Sequence, residues 1–144
     1  MNSDFRCSCP ITSFLDLFGD RWSLVVLKLM LIDKKKTFKE FVDSDERFAT
    51  NILSDRLKQL EQRGYIEKLP HPQSKKSNIY RLTEKGLSLS PVIIQIAVWG
   101  YQNLKKDNPA MPDFPMLEQK EELKSTLADY MVKSYRQTYN DKSD

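Results

Sequence analysis

Few side chains in this sequence could carry out chemistry. There are two cysteines, Cys7 and Cys9, and one histidine, His71. They fall one ligand short of a closed zinc site, so no metal and no cofactor is expected. No Gly-rich phosphate loop, dinucleotide fingerprint or nucleophile elbow occurs. No acid–base constellation is visible either, so the sequence does not describe an enzyme. Thiol chemistry remains. Cys9 precedes Pro10, at the expected start of a helix whose amides and dipole would stabilise a thiolate. Arg6 would add positive charge nearby, and Cys7 could resolve a Cys9 sulfenate. The plain alternative is a small apolar residue filling a gap at the domain edge.

A second kind of chemistry is hydrogen bonding to a polymer. In the stretch from Phe48 to Arg63, Ile52, Leu53, Leu57 and Leu60 recur at helical spacing. Asn51, Ser54, Asp55, Lys58 and Gln62 fall on the other side, and Gly64 comes next, where a helix wants a left-handed residue. That outer face can both donate and accept, as base edges require. An ordinary amphipathic surface helix would show the same pattern. The residues beyond Gly64 sharpen the reading. Tyr65–Leu69 alternates like a strand, Pro70–Asn78 is a polar turn, Ile79–Leu82 is a second strand, and Thr83 caps a helix opening Glu84-Lys85-Gly86. A reading helix flanked by a cationic hairpin is the layout of a winged helix-turn-helix. One part enters a major groove and the other clamps neighbouring phosphates.

The remaining elements must hold that pair in place. Pro10 to Phe18 reads as a helix with Ile11, Phe14, Leu15 and Phe18 on one face, stopped by Gly19. Asp20 caps a helix from Arg21 to about Ile32 that is apolar nearly all round. It is therefore expected as a central strut and part of a dimer contact. Lys34–Lys36 reads as a solvated turn, and Thr37 caps a short helix from Phe38 to Val42. After the hairpin a long helix runs from Glu84 to about Leu104 and either kinks or divides at Pro91. Beyond the three-proline loop Asn108–Pro115, a last helix from about Met116 to Tyr139 offers Leu117, Leu123, Leu127, Tyr130, Met131 and Tyr135. The economical partner for that stripe is its copy in a second subunit. Trp22, Trp99 and Tyr101 could line a small-molecule pocket between subunits, or simply be core.

Bulk properties fit. A chain of 144 residues, 40% hydrophobic and 30% charged, holds one domain and a helical extension. We expect a winged helix-turn-helix over 9–106 and a C-terminal dimerisation extension over 107–144. Net charge is +3, but residues 47–106 carry 11 Lys/Arg against 4 Asp/Glu. The flanks are acidic, with 7 against 8 before and 5 against 8 after. Positive charge thus gathers on the segment that would meet phosphate. No apolar run reaches the roughly 18 residues of a membrane span, and no signal peptide is evident. The expected setting is cytoplasmic, which two closely spaced cysteines also suit.

Several blocks resemble the HxlR-type transcriptional regulators, relatives of the MarR winged-helix proteins. They are Cys9-Pro10, Leu17–Ser23, Phe38–Phe41, Ile52–Glu61 with Gly64 and Ile66, Tyr80–Gly86, and Pro91–Ile93 through Trp99-Gly100. The turn Asp45–Thr50 departs from the family, which often carries Gly-Ile-Ser there. The resemblance implies a mainly α fold with a small β-hairpin wing, and a homodimer on palindromic operator DNA. Some members sense oxidants or electrophiles through a cysteine at the position of Cys9. The expected base contacts are Thr50, Asn51, Ser54 and Lys58, and the phosphate contacts Lys75, Lys76 and Arg81. Arg56 and Arg63 could instead pair with Glu61 or Glu67. The expected function is a transcriptional repressor acting on double-stranded DNA, released when an inducer modifies Cys9. The competing reading is a winged-helix protein-interaction module that binds no DNA.

Overall fold

A helix apolar on almost every side must be covered on every side, and the fold is assembled around such a helix. The computed structural model describes residues 5–113 and 121–140. Its elements are α1 (Pro10–Phe18), α2 (Ser23–Leu31), α3 (Phe38–Val42), α4 (Thr50–Gln62), β1 (Ile66–His71), β2 (Ser74–Leu82), α5 (Glu84–Leu87), α6 (Ser90–Leu104) and α7 (Glu121–Asn140). On α2, Val26, Leu27, Leu29, Met30 and Leu31 are buried within this one chain. Around them close Phe41, Phe48, Leu53, Leu57, Leu60, Ile66 and Leu82. The mainly helical winged helix-turn-helix expected from the sequence is the fold observed.

Local chemistry sets the element ends. Thr37 accepts the Glu40 N–H at 3.1 Å and Thr83 the Gly86 N–H at 3.2 Å, so both threonines cap as expected. Gly64 takes φ 82°, the left-handed backbone that ends α4 cheaply. Gly86 is needed for a different reason: a Cβ there would lie 2.2 Å from the Tyr65 carbonyl oxygen. Asp20 caps α2, but the helix begins at Ser23 rather than Arg21. The Asp20 carboxylate accepts the Trp22 and Ser23 N–H groups at 2.9 Å each and the Ser23 hydroxyl at 2.6 Å. Likewise α4 starts at Thr50, not Phe48. Phe48 is buried against Trp22, with ring centroids 4.9 Å apart, and Arg47 before it holds φ 58°. At Pro91 the division is complete: α5 ends at Leu87, and Pro91 occupies the first turn of α6, where its missing N–H costs nothing.

The hairpin is longer than expected. Residues 70–78 are not one turn, because antiparallel pairing runs from Ile66–Leu82 out to Pro70–Asn78 and His71–Ser74. Only Pro72 and Gln73 remain at the tip. Pro70 is tolerated because a two-stranded sheet offers an outer margin where no N–H is required, and the register shift falls at Pro70/His71. The His71 ring nitrogen Nδ1 accepts the Gln73 N–H at 3.0 Å, which fixes the tip.

The largest departure concerns α7. Met116, Leu117 and the side chain of Leu123 lie outside the described residues. Farther on, part of the stripe is covered within the chain: Tyr135 is buried and Leu127 and Met131 are half-buried, with Ala128 buried beside them, whereas Tyr130 is 61% exposed. A relay of hydroxyls ties α7 to β2. The Leu82 N–H donates to Tyr135 at 2.9 Å, Tyr135 to Tyr139 at 3.2 Å, and Tyr139 to the Tyr80 carbonyl at 3.2 Å. Burial, then the Tyr139 hydroxyl, push the Tyr135 phenol far above its ordinary pKa, so it stays protonated. The 34–36 turn is not simply solvated either. Lys34 donates to the Ser134 hydroxyl at 2.9 Å and lies over the Tyr135 ring, and Lys36 lies over Tyr139. The Lys36 carbonyl accepts the Tyr80 N–H at 2.7 Å.

Removing the central hydroxyl of this relay should be costly. Tyr135→Phe strands the buried Leu82 N–H and should lower unfolding free energy by about 1–3 kcal/mol in a denaturant titration. An unchanged midpoint and slope would show that the relay carries no stability.

Candidate nucleic-acid interface

Because Leu53, Leu57 and Leu60 point inward, the opposite face of α4 points out. Thr50, Asn51, Ser54 and Lys58 are all exposed, as are Asp55 and Gln62. No described part of the chain covers them. The first turn of α4 has no acidic residue, and Ala49 provides no side-chain cap. Its leading amides therefore keep their affinity for an anion. Lys75 and Lys76 are exposed beside the hairpin tip, and Lys68 is exposed on β1. Arg47, exposed in the turn before α4, is a further cation that sequence reasoning passed over. The only signal for it was a positive charge next to the helix start.

Other arginines are committed elsewhere. Arg81 does not join the lysines at the tip. It faces Glu67 across the hairpin, its Nε donating to Glu67 Oε1 at 2.6 Å, and it lies over the Tyr139 ring. Arg56 pairs with neither Glu61 nor Glu67. Its guanidinium sits 3.7 Å from Asp20 and 3.5 Å from Asp55, and donates to Gln59. Arg63 donates to the Leu17 carbonyl at 3.3 Å. Partial burial pushes the Asp20 carboxyl up. The Ser23 hydroxyl, the Trp22 and Ser23 amides and Arg56 outweigh it and leave the pKa below the usual range. A charged Asp20 thus joins the start of α2 to α4.

Cys9 is the N-cap residue of α1 and half-buried, whereas Cys7 is exposed. As a thiol, Cys9 makes no capping hydrogen bond. The Thr12 amide first, then the Thr12 hydroxyl and the Ile11 amide, favour its thiolate and hold its pKa below the ordinary thiol value. Arg6 does not supply that charge, because Asp16 takes its guanidinium at 2.6 Å and its N–H at 3.1 Å. Of the three aromatics considered for a pocket, Tyr101 alone lines the cavity between α2, α6 and α7. Trp22 packs on Phe48, and Trp99 is 61% exposed on the outer face of α6. Among the described residues no cluster could hold a metal ion, and no helix is long and apolar enough to cross a membrane.

Known proteins of similar sequence and fold can be set beside this arrangement. The HxlR-like helix-turn-helix family model matches residues 17–108. The chain belongs to that family. It is similar to YdeP of Bacillus subtilis, an HTH-type transcriptional regulator: 35% identical over 99 residues, covering 69% of this chain and 76% of YdeP. YodB of the same organism, also an HTH-type transcriptional regulator, is 35% identical over 95 residues, 65% of this chain and 84% of YodB. The structure of reduced YodB aligns with a TM-score of 0.56 at 32% identity, over 69% of this chain and 98% of YodB. YodB is also known diamide-treated and quinone-bound. The redox regulator HypR in its reduced form gives a TM-score of 0.59 at 32% identity, over 66% of this chain and 93% of HypR. The protein is accordingly an HxlR-type transcriptional regulator and not an enzyme. Cys9 and α7 both lie outside the matched span.

The environment of Cys9 is open to titration. In Cys7→Ser protein, the rate of iodoacetamide alkylation should rise with pH through a midpoint below the roughly 8.5 of a free thiol. Thr12→Val should move that midpoint upward. A midpoint at or above the free-thiol value would remove the argument for an activated Cys9.

Proposed function

We propose that the protein is a sequence-specific DNA-binding repressor, acting as a homodimer on palindromic operator DNA. The observation that supports this most is the uncovered polar front of α4 beside a cationic hairpin. Thr50, Asn51, Ser54 and Lys58 read base edges from the first turns of α4, and the α4 amides meet a phosphate. Asn51 is the residue suited to a bidentate contact with adenine. Lys75 and Lys76 grip the neighbouring backbone, with Arg47 as a further phosphate contact. Arg81 takes part through Glu67, by setting the base of the hairpin rather than by reaching its tip. The partner face is assigned to the exposed apolar side chains of α1 and α6: Ile11 and Leu15, and Val92, Ile96 and Trp99. Unlike the buried stripe of α2, these are uncovered.

Operator release is assigned to modification of Cys9 by an oxidant or electrophile. The lowered thiol pKa supports this reading, as do relatives studied in diamide-treated, quinone-bound and oxidised forms. Cys9 heads α1, and α1 carries part of the proposed partner face. A group added there alters how two reading helices are spaced.

The division of labour is tested by fluorescence anisotropy with the upstream intergenic DNA across a salt series. Asn51→Ala should weaken operator binding by about 1–3 kcal/mol and relax base choice. Lys76→Ala should weaken operator and unrelated DNA alike and flatten the salt slope by about one. No operator preference in the parent protein would favour a protein-interaction module instead. For the sensor role, diamide or a quinone should release operator from the parent protein and not from Cys9→Ser. Equal release from both would sink that part.

A further inference from the structure

Between α2, α6 and α7 lies a cavity of about 600 Å³. Leu24 and Val25 of α2, Ile94 and Ala97 of α6, and Leu127 and Met131 of α7 form its walls. Its size is that of a small-molecule site. Three features say what would fill it. First, the walls are almost wholly apolar, so water inside would lack the polar partners it needs. Second, the one lysine at the mouth is already engaged by two carboxylates. Lys28 lies 2.7 Å from Glu46 and 3.6 Å from Asp33, so no spare cation awaits an anionic ligand. Third, Gly100 interrupts α6 where the helix would be better served by alanine. A Cβ there would meet nothing within 4 Å, so no contact within the chain demands glycine. The missing side chain leaves the cavity open.

We propose that this cavity binds a neutral, largely apolar small molecule, with α7 as one wall. The site is separate from the α4 front and from Cys9, and it stands whether or not the DNA assignment does. The α7 wall lies outside the residues matched by the family, whereas the α2 and α6 walls and Gly100 lie within them.

The test uses full-length protein and N-phenyl-1-naphthylamine, a neutral apolar fluorophore. Binding should saturate at one probe per chain. With ¹³C-methyl methionine, the Met111 and Met131 signals should shift on titration, because both line the cavity, while that of the core residue Met30 stays put. Gly100→Leu, which grows a side chain into the space, should weaken binding at least tenfold. Its helicity and sedimentation mass should match the parent. Non-saturable binding, stationary Met111 and Met131 signals, or unchanged affinity in Gly100→Leu would each overturn the proposal. A changed sedimentation mass in Gly100→Leu would overturn it too, by giving the cavity to a second copy of the chain. Should Gly100→Leu fail to fold, the methionine signals of the parent protein decide the matter.

Discussion

Everything in this molecule is placed by the need to cover α2. Of its nine residues most are large and apolar, and α4, β2, α6 and α7 all pack against it. Burying a side chain such as Leu27 or Met30 contributes about 1.5–3 kcal/mol, and α2 supplies five such buried apolar residues. It also fixes orientation. Once Leu53, Leu57 and Leu60 are committed to α2, the polar side of α4 can only point outward. The Asp20 carboxylate adds a second tie, because it caps α2 and faces Arg56 of α4.

The wing is held at its root and free at its tip. Glu67 and Arg81 pair across it, Tyr80 packs near Phe41 with ring centroids 6.2 Å apart, and Leu82 is buried. From there the strands run out to Pro72 and Gln73 with little beneath them. Cations at a tip of this kind suit contact with a polymer backbone, whose position varies more than that of a base edge. The proposed base reading falls instead to α4, which Leu53, Leu57 and Leu60 anchor to the core. The Arg81–Glu67 pair is half exposed, so its value lies in geometry more than in energy.

Much of this was legible from local chemistry. Thr37, Thr83, Gly64 and Pro91 each mark a boundary by what their own backbone or hydroxyl can do, and the structure uses each as expected. The inward stripe of α4 was legible too, because helical spacing reports burial directly. What was not legible depends on partners far along the chain. Tyr135 meets Leu82 across 53 residues and Lys34 meets Ser134 across 100. No local pattern announces either contact, so α7 read as an unpartnered stripe and Lys34 as a solvated cation. Arg6 and Arg81 illustrate the same limit: a positive charge is visible in the sequence, but the carboxylate that takes it is not. The length of the hairpin was obscured by Pro70, which marks turns more often than strand margins. The thiolate-favouring amides at Cys9 were legible because the helix start that creates them is a local event.

One consequence of the α7 contact reaches beyond stability. A two-stranded sheet has bare margins, and bare margins recruit foreign strands. At the root of β2 the outer hydrogen-bonding groups of Tyr80 and Leu82 are taken by the Lys36 carbonyl and by two tyrosine hydroxyls rather than by a third strand. A chain clipped by a protease ahead of Glu121 would keep every element of the family's matched span and still lose that seal. Such a fragment would present raw backbone at Leu82 and Tyr80 to its neighbours. α7 thus covers the part of the β2 margin where a foreign strand would pair.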